Sequence, residues 1–88
     1  MAQRSAVVAS KVGLHARPAA LFVKAVAASG VPVTIAKEGA EPVDAASILG
    51  VMTLGAEHGD EVVLTAEGDD AERVLDELVE LLSTDLDA

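Results

Sequence analysis

The chain has 88 residues, 15 of them acidic and six of them Lys or Arg, so its net charge is −9 with neutral histidines. This length suits one domain over residues 1–88. The negative charge opposes binding to nucleic acid and to anionic lipid, and one aromatic residue, Phe22, provides almost no surface for stacking bases. The absence of cysteine excludes disulfides and thiolate metal sites.

The hydrophobic residues occur in short groups. The N-terminus, MAQRSAVVASKVG, has no apolar run of the length that a secretory signal needs. No segment approaches the roughly 18 continuous apolar residues of a membrane span. We therefore expect a cytoplasmic protein without membrane insertion.

The chain begins with a predicted strand and a predicted helix. Residues 4–9, RSAVVA, are compatible with a strand. Residues 17–30 predict a helix that ends at Gly30, a residue favoured just after a helix C-terminus. The apolar residues at helical spacing, which we expect to face the core, are Leu21, Phe22, Ala25 and Ala28.

Two strands follow this helix. Residues 32–37, PVTIAK, alternate in polarity and place Val33 and Ile35 on one face. Residues 41–44, EPVD, predict a short strand. Pro42 cannot donate a hydrogen bond to a neighbouring strand, which favours a position at the edge of a sheet.

The second half of the chain predicts a short helix and a strand. Residues 47–55, SILGVMTLG, predict the helix, with Ser47 as N-cap and Gly55 at its end. Residues 61–67, EVVLTAE, predict a strand. Its residues expected on one face are Val62, Leu64 and Ala66.

The last predicted helix has the clearest pattern. Asp69 and Glu72 resemble a capping box at its start. Acidic residues occupy the face expected to contact water. The apolar stripe consists of Ala71, Val74, Leu75, Leu78, Leu81 and Leu82.

The predicted order is therefore βαββαβα. Interleaved helices and strands with a hairpin in the middle indicate a two-layer α/β (α+β) sandwich. Short, alternating strands favour an antiparallel sheet with one solvated face.

The stretch GLHARPA at residues 13–19 places His15 directly before the first predicted helix. His15 would be the N-cap, with Ala16, Arg17 and Pro18 in the first turn. Free backbone N–H groups and the helix dipole favour an anion there, and a guanidinium matches phosphate geometry. The same field keeps the imidazole neutral and nucleophilic, so His15 could accept a phosphoryl group. Three of the six cations, Lys11, Arg17 and Lys24, flank His15.

Other roles for His15 remain open on these residues alone. A histidine at a helix start is more often a cap or a surface residue. Metal binding needs further ligands, and the other histidine, His58, lies in a distant predicted turn. A Ser-His-Asp hydrolase is disfavoured because so short a chain has little room for a substrate pocket.

Two motifs together carry a resemblance. GLHARPA at 13–19 and SILGVMTLG at 47–55 resemble the HPr phosphocarrier family of the bacterial phosphoenolpyruvate:sugar phosphotransferase system, over essentially the whole chain. The resemblance implies an HPr-like open-faced β-sandwich, with a four-stranded antiparallel sheet in the order 1-4-2-3 and three helices on one face. It implies a monomeric phosphoryl carrier without cofactor, metal or turnover of its own.

The resemblance also assigns roles to residues. Phospho-Enzyme I would phosphorylate His15 on Nδ1. The side chain of Arg17 and the backbone of Ala16 and Arg17 would stabilise the phosphate. A IIA domain of a sugar permease would then receive the phosphoryl group. Ser47 would be the serine that an HPr kinase/phosphorylase modifies in some bacteria, although Ala46 stands where a basic residue is frequent. The residues expected to contact the partners are Lys24, Ile48, Leu49 and Met52.

Two alternatives to a phosphoryl carrier remain, and the first of them has the same fold. A regulatory HPr paralogue would act by binding, or in a nitrogen-type phosphotransfer branch; the presence of His15 and Arg17 disfavours a purely binding form. A small interaction module with a capping histidine would form no acid-labile phosphate.

Overall fold

The computed structural model describes residues 2–11, 13–14 and 16–84, with Ala16 described by its backbone alone. The elements follow the predicted order βαββαβα. Their bounds are β1 Ala2–Val7, α1 Ala16–Ser29, β2 Val33–Lys37, β3 Val43–Asp44, α2 Ile48–Thr53, β4 Glu61–Ala66 and α3 Ala71–Leu82. Among the described residues, the helices are too short or too polar to cross a membrane.

The four strands form one antiparallel sheet in the order β1-β4-β2-β3, as the resemblance implied. Val63 of β4 faces Ser5 of β1 on one side and Ala36 of β2 on the other. The short strand β3 lies at the edge, directly after Pro42, which confirms the position that the proline indicated.

One face of the sheet carries the helices. Alternation along β4 buries Val62, Leu64 and Ala66, and Val33 and Ile35 of β2 lie on the same buried face. Helix α3 packs on β1 and β4, while α1 packs on α2 and α3. The opposite face is solvated, with Gln3, Ser5, Val7 and Thr34 exposed.

Strand β1 begins and ends two residues earlier than the predicted 4–9. Val8 continues beyond it as a buried residue whose N–H donates to the carbonyl of Asp60 at 3.0 Å. The predicted strand 41–44 shortens to Val43–Asp44, and the predicted helix 47–55 spans Ile48–Thr53 between its caps.

The buried face of α1 differs from the predicted stripe. Phe22 is fully buried, but Leu21 is 37% exposed and Ala28 is exposed. Ala19, Phe22 and Val26 form the buried face instead. The prediction holds for Phe22 and for Ala25, which is partly buried against the core, and is wrong for Leu21 and Ala28. Alanine and valine are frequent along α1, so its sequence gives little contrast between faces.

The predicted capping box of α3 is also wrong. The N-cap is Asp70, one residue later than predicted, and its side chain makes no capping hydrogen bond. Its carboxylate pairs with Arg73 at 3.4 Å, and Glu72 pairs with Arg4 of β1 at 3.5 Å. Because the N-cap is Asp70, the residue three positions later is Arg73, a cation that cannot accept a hydrogen bond from the N-cap N–H as a Glu would. The predicted apolar stripe is confirmed, except that Leu81 is half-buried.

Candidate functional site

Helix α1 begins at Ala16, directly after the position of His15. Its first three residues are Ala16, Arg17 and Pro18, as predicted. Pro18 is fully buried and anchors this first turn in the core, whereas Arg17 is exposed. The N–H groups of Ala16 and Arg17 have no acceptor within the helix, because the first four such groups never do. His15 lies outside the described residues, so its role as N-cap and phosphoryl acceptor stays a prediction.

The residues before His15 are held by the segment that precedes β4. Gly13 has φ +73°, a conformation that side chains rarely adopt, and it lies against the backbone of Ala56 and Glu57. The N–H of Leu14 donates to the carbonyl of Ala56 at 2.9 Å, and the Leu14 side chain is buried. The start of α1 is therefore fixed on both sides of His15, by Leu14 before it and by Pro18 after it.

The turn at 57–60 is closed by Asp60. Its Oδ2 accepts a hydrogen bond from the N–H of Glu57 at 2.9 Å and pairs with Lys37 Nζ at 3.4 Å. The hydrogen bond from the Glu57 N–H lowers the pKa of Asp60 below its ordinary value; loss of solvent opposes this shift, and Lys37 lowers the pKa by smaller amounts. The carboxylate is thus charged at neutral pH.

The cations divide into two groups that the sequence did not distinguish. Arg4, Lys37 and Arg73 all pair with carboxylates, at 3.2, 3.4 and 3.3 Å for their shortest pairs. Lys11, Arg17 and Lys24 are exposed and have no ion-pair partner within residues 2–11, 13–14 and 16–84. The unpaired cations are the three that flank His15, which leaves them available for an anionic ligand or an acidic surface.

Helix α2 combines a capped start with exposed apolar side chains. Ser47 has extended backbone angles, and its Oγ accepts a hydrogen bond from the N–H of Gly50 at 3.1 Å, which confirms it as the N-cap. Val51 is fully buried, whereas Ile48, Leu49 and Met52 are 43%, 74% and 40% exposed.

Leu21 of α1 is a further exposed apolar residue. It is 37% exposed on α1, the helix that packs on α2, and was assigned to the core from its spacing alone. We define the apolar patch as Leu21, Ile48, Leu49 and Met52. Lys24 lies one turn beyond Leu21 on α1 and is exposed. The predicted cation and the predicted apolar contacts therefore lie on two helices that pack against each other.

Within the described part of the chain, no group of three His, Cys, Asp or Glu side chains is arranged to hold a metal ion. The chemistry that these residues offer is anion binding at the start of α1, next to an apolar surface.

Comparison with known proteins decides the family. The family described as "PTS HPr component phosphorylation site" matches residues 2–84. The chain belongs to the HPr family. This family consists of phosphocarrier proteins of the phosphotransferase system, so the resemblance carried by GLHARPA and SILGVMTLG is confirmed.

Relatives of HPr are similar over almost the whole chain. "Phosphocarrier protein HPr" of Streptomyces coelicolor is 49% identical over 99% of this chain and 94% of its own length. "HPr-like protein Crh" of Bacillus subtilis is 42% identical over 89% of this chain and 91% of its own.

Solved HPr structures have the same fold. HPr-C-His from Thermoanaerobacter tengcongensis superimposes with a TM-score of 0.86 at 41% identity, covering 93% of this chain and 91% of that one. A structure described as an HPr dimer from the same organism gives a TM-score of 0.69 at 42% identity, with 92% of each chain covered. These similarities agree with the sheet order 1-4-2-3 and the three helices found here.

Proposed function

We propose that this HPr protein accepts a phosphoryl group from phospho-Enzyme I on Nδ1 of His15 and passes it to IIA domains of sugar permeases. The observation that carries the proposal is the start of α1 at Ala16, immediately after His15, in a segment anchored by Leu14 and Pro18. The residue that follows His15 is the first of a 14-residue helix, whose N-terminus is the positive end of the helix dipole.

The chemistry is a displacement at phosphorus. The lone pair of Nδ1 forms a bond to phosphorus as the bond from phosphorus to the donor atom of Enzyme I breaks. In the second step an acceptor atom of the IIA domain forms a bond to phosphorus as the P–Nδ1 bond breaks, and the electron pair of that bond returns to Nδ1 of His15. Neutral imidazole is the nucleophile, and the helix terminus favours that form. The exposed Arg17 and the N–H groups of Ala16 and Arg17 would then balance the charge of the phosphoryl oxygens.

Partner binding would use the surface beside the site. Arg17 and Lys24, which pair with no carboxylate among the described residues, favour contact with acidic residues of Enzyme I and IIA. The apolar patch, in which Leu49 is 74% exposed, would be buried in the complex. A carrier that must dock two partners in turn on one surface is best served by a monomer, so we propose a monomeric, cytoplasmic protein of one domain over residues 1–88.

Ser47 is a candidate regulatory site. Its hydroxyl caps α2 and lies next to Ile48 and Leu49. A phosphate there would add about −1.5 to −2 charges to the apolar patch, which would oppose docking while the helix dipole tolerates the charge. This proposal requires an HPr kinase/phosphorylase in the cell.

The similarity to HPr-like protein Crh keeps the alternative of a regulatory paralogue in view. Such a protein would act by binding, or with a nitrogen-type IIA domain. The greater identity to a phosphocarrier HPr supports the sugar-system role. Transfer to a sugar IIA domain and to a nitrogen-type IIA domain, measured side by side, separates the two.

The experiment that tests the function is an intact-mass measurement. The full chain is incubated with phosphoenolpyruvate, magnesium and Enzyme I, and then exposed to mild acid. We expect a gain of one phosphate that acid removes, and no gain in His15→Ala. No gain in the wild type, with an Enzyme I active on another carrier, would disprove the proposal.

Arg17 is tested separately. Arg17→Ala should slow transfer, and Arg73→Ala provides the matched control, because it removes the same charge from α3 where the guanidinium pairs with Asp70 and Glu77. Equal rates for wild type and Arg17→Ala would remove Arg17 from the mechanism.

A further inference from the structure

The peptide group that joins Ala56 to Glu57 makes hydrogen bonds on both sides. Its carbonyl accepts from the N–H of Leu14 at 2.9 Å, and its N–H donates to Oδ2 of Asp60 at 2.9 Å. Because a peptide group is planar, fixing the direction of the N–H also fixes the direction of the C=O. One rigid group therefore connects the Asp60 carboxylate to the residue directly before His15.

Asp60 is itself anchored to the sheet. Its carbonyl accepts from Val8 N–H at 3.0 Å, and its own N–H donates to the carbonyl of Glu57 at 3.0 Å. Its carboxylate also pairs with Lys37 at the end of β2. The Asp60 side chain is therefore held in place relative to the sheet, and it orients the turn at 57–60.

The bond from Glu57 N–H to Asp60 is charge-assisted. Hydrogen bonds to an ionised carboxylate are shorter and stronger than those between neutral groups. They also polarise the peptide group, which strengthens its carbonyl as an acceptor for Leu14. The lowered pKa of Asp60 agrees with this, since the Glu57 N–H is its largest cause.

We propose that Asp60 is a positioning residue for His15, acting through the 56–57 peptide group and Leu14. Its effect on phosphotransfer rests on the proposed function, whereas its effect on the geometry of the segment at 13–15 does not. Asp60 does not act on the reacting atoms; it holds Leu14, the residue directly before His15. Phosphoryl transfer is sensitive to such placement, because rates depend on the alignment of the attacking atom.

The experiment compares Asp60→Ala, Asp60→Asn and Asp76→Ala in the full chain. Asparagine retains an oxygen that can accept from Glu57 N–H. Asp76→Ala removes the same charge and an ion pair, with Arg4, from α3. The readouts are the amide shift of Leu14 and the ring nitrogen shifts of His15 by NMR, together with kcat and KM for phosphoryl transfer from Enzyme I.

In Asp60→Ala we expect the Leu14 amide proton to move upfield, the His15 ring shifts to change, and kcat to fall roughly three- to tenfold with KM nearly unchanged. In Asp60→Asn the NMR shifts and kcat should lie close to their wild-type values, and in Asp76→Ala they should equal them. Rescue by asparagine would assign the effect to the hydrogen bond rather than to net charge.

Two results would overturn the inference. One is an Asp60→Ala protein with wild-type Leu14 and His15 shifts; the other is an Asp76→Ala protein with equal changes. Failure of the proposed function would be seen separately, because the wild-type protein would then accept no phosphoryl group. The NMR shifts would still test the role of Asp60 in that case.

Discussion

Gly13 lies so close to Ala56 that a Cβ on Gly13 would sit 2.5 Å from the Ala56 carbonyl oxygen and 2.8 Å from Cα of Glu57. Both neighbouring atoms belong to backbone that is hydrogen-bonded to Leu14 and Asp60, so they cannot move aside without breaking those bonds. The close approach joins the segment before His15 to the turn before β4.

Gly13→Ala should therefore destabilise the protein more than an alanine at another glycine of similar backbone conformation. Gly30 provides the control, because its φ is +69° against +73° for Gly13 and nothing lies within 4 Å of a Cβ there. Gly30→Ala should cost about 1–2 kcal/mol from backbone conformation alone. Gly13→Ala should cost roughly a further 1–3 kcal/mol from the clash. Urea unfolding measures both; equal losses would contradict the close packing.

The parts of the fold that the sequence predicted well have strong periodicity. Alternation along β4 identified Val62, Leu64 and Ala66, and the leucines of α3 identified its buried face. Helix α1 was harder, because alanine and valine on every side leave the 3.6-residue pattern without contrast. Leu21 was consequently assigned to the core although it belongs to the apolar patch.

The site was predicted in part, from local signals. The N-cap Ser47 and the start of α1 follow from residues adjacent in sequence. Which cations form ion pairs could not be predicted in this way, because Arg4 contacts Glu72 and Asp76 only through the packing of α3 on β1. For the same reason Asp60 was overlooked: its link to Leu14 passes through a contact between segments distant in the sequence.

Leu49 and Val51 separate docking from packing within one helix. Leu49 is 74% exposed and Val51 is fully buried. Val51→Ala should lower the free energy of unfolding by about 1–3 kcal/mol, from lost burial and a residual cavity. Leu49→Ala should change the free energy of unfolding by less than about 0.5 kcal/mol. It should raise the KM that Enzyme I shows for this protein as its phosphoryl acceptor. Thermal unfolding and steady-state kinetics measure the pair, and a large stability loss in Leu49→Ala would show that the side chain is not free.

Ser47→Ala removes the N-cap of α2, since Oγ no longer accepts from Gly50 N–H. The free energy of unfolding should fall by about 1 kcal/mol, within the range of about 0.5–2 kcal/mol for such caps. Ser5→Ala is the control, because Ser5 is exposed on the open face of the sheet. Its effect should stay within about 0.5 kcal/mol. Identical denaturation midpoints for the two variants would contradict the capping role.

The stability contributed by the Asp60 carboxylate should depend on pH in a defined direction. Glu57 N–H and Lys37 lower the pKa of Asp60 in the folded protein, whereas the pKa of an aspartate in an unfolded chain is about 3.9. A lowered folded pKa means that the folded state favours the charged form, so the contribution is fully present above the unfolded pKa. It is lost as the pH falls through the folded pKa.

Asp60→Asn removes this titration while keeping an acceptor for Glu57 N–H. The difference in unfolding free energy between wild type and Asp60→Asn should therefore be constant above about pH 5 and shrink below about pH 4. His58, Glu57 and Glu61 are exposed and occur in both proteins, so the difference isolates the substitution at residue 60. Urea unfolding at intervals from pH 7 to pH 3 measures it. A difference that grows on acidification would mean that the folded state raises the pKa of Asp60, and the charge-assisted bond to Glu57 would have to be abandoned.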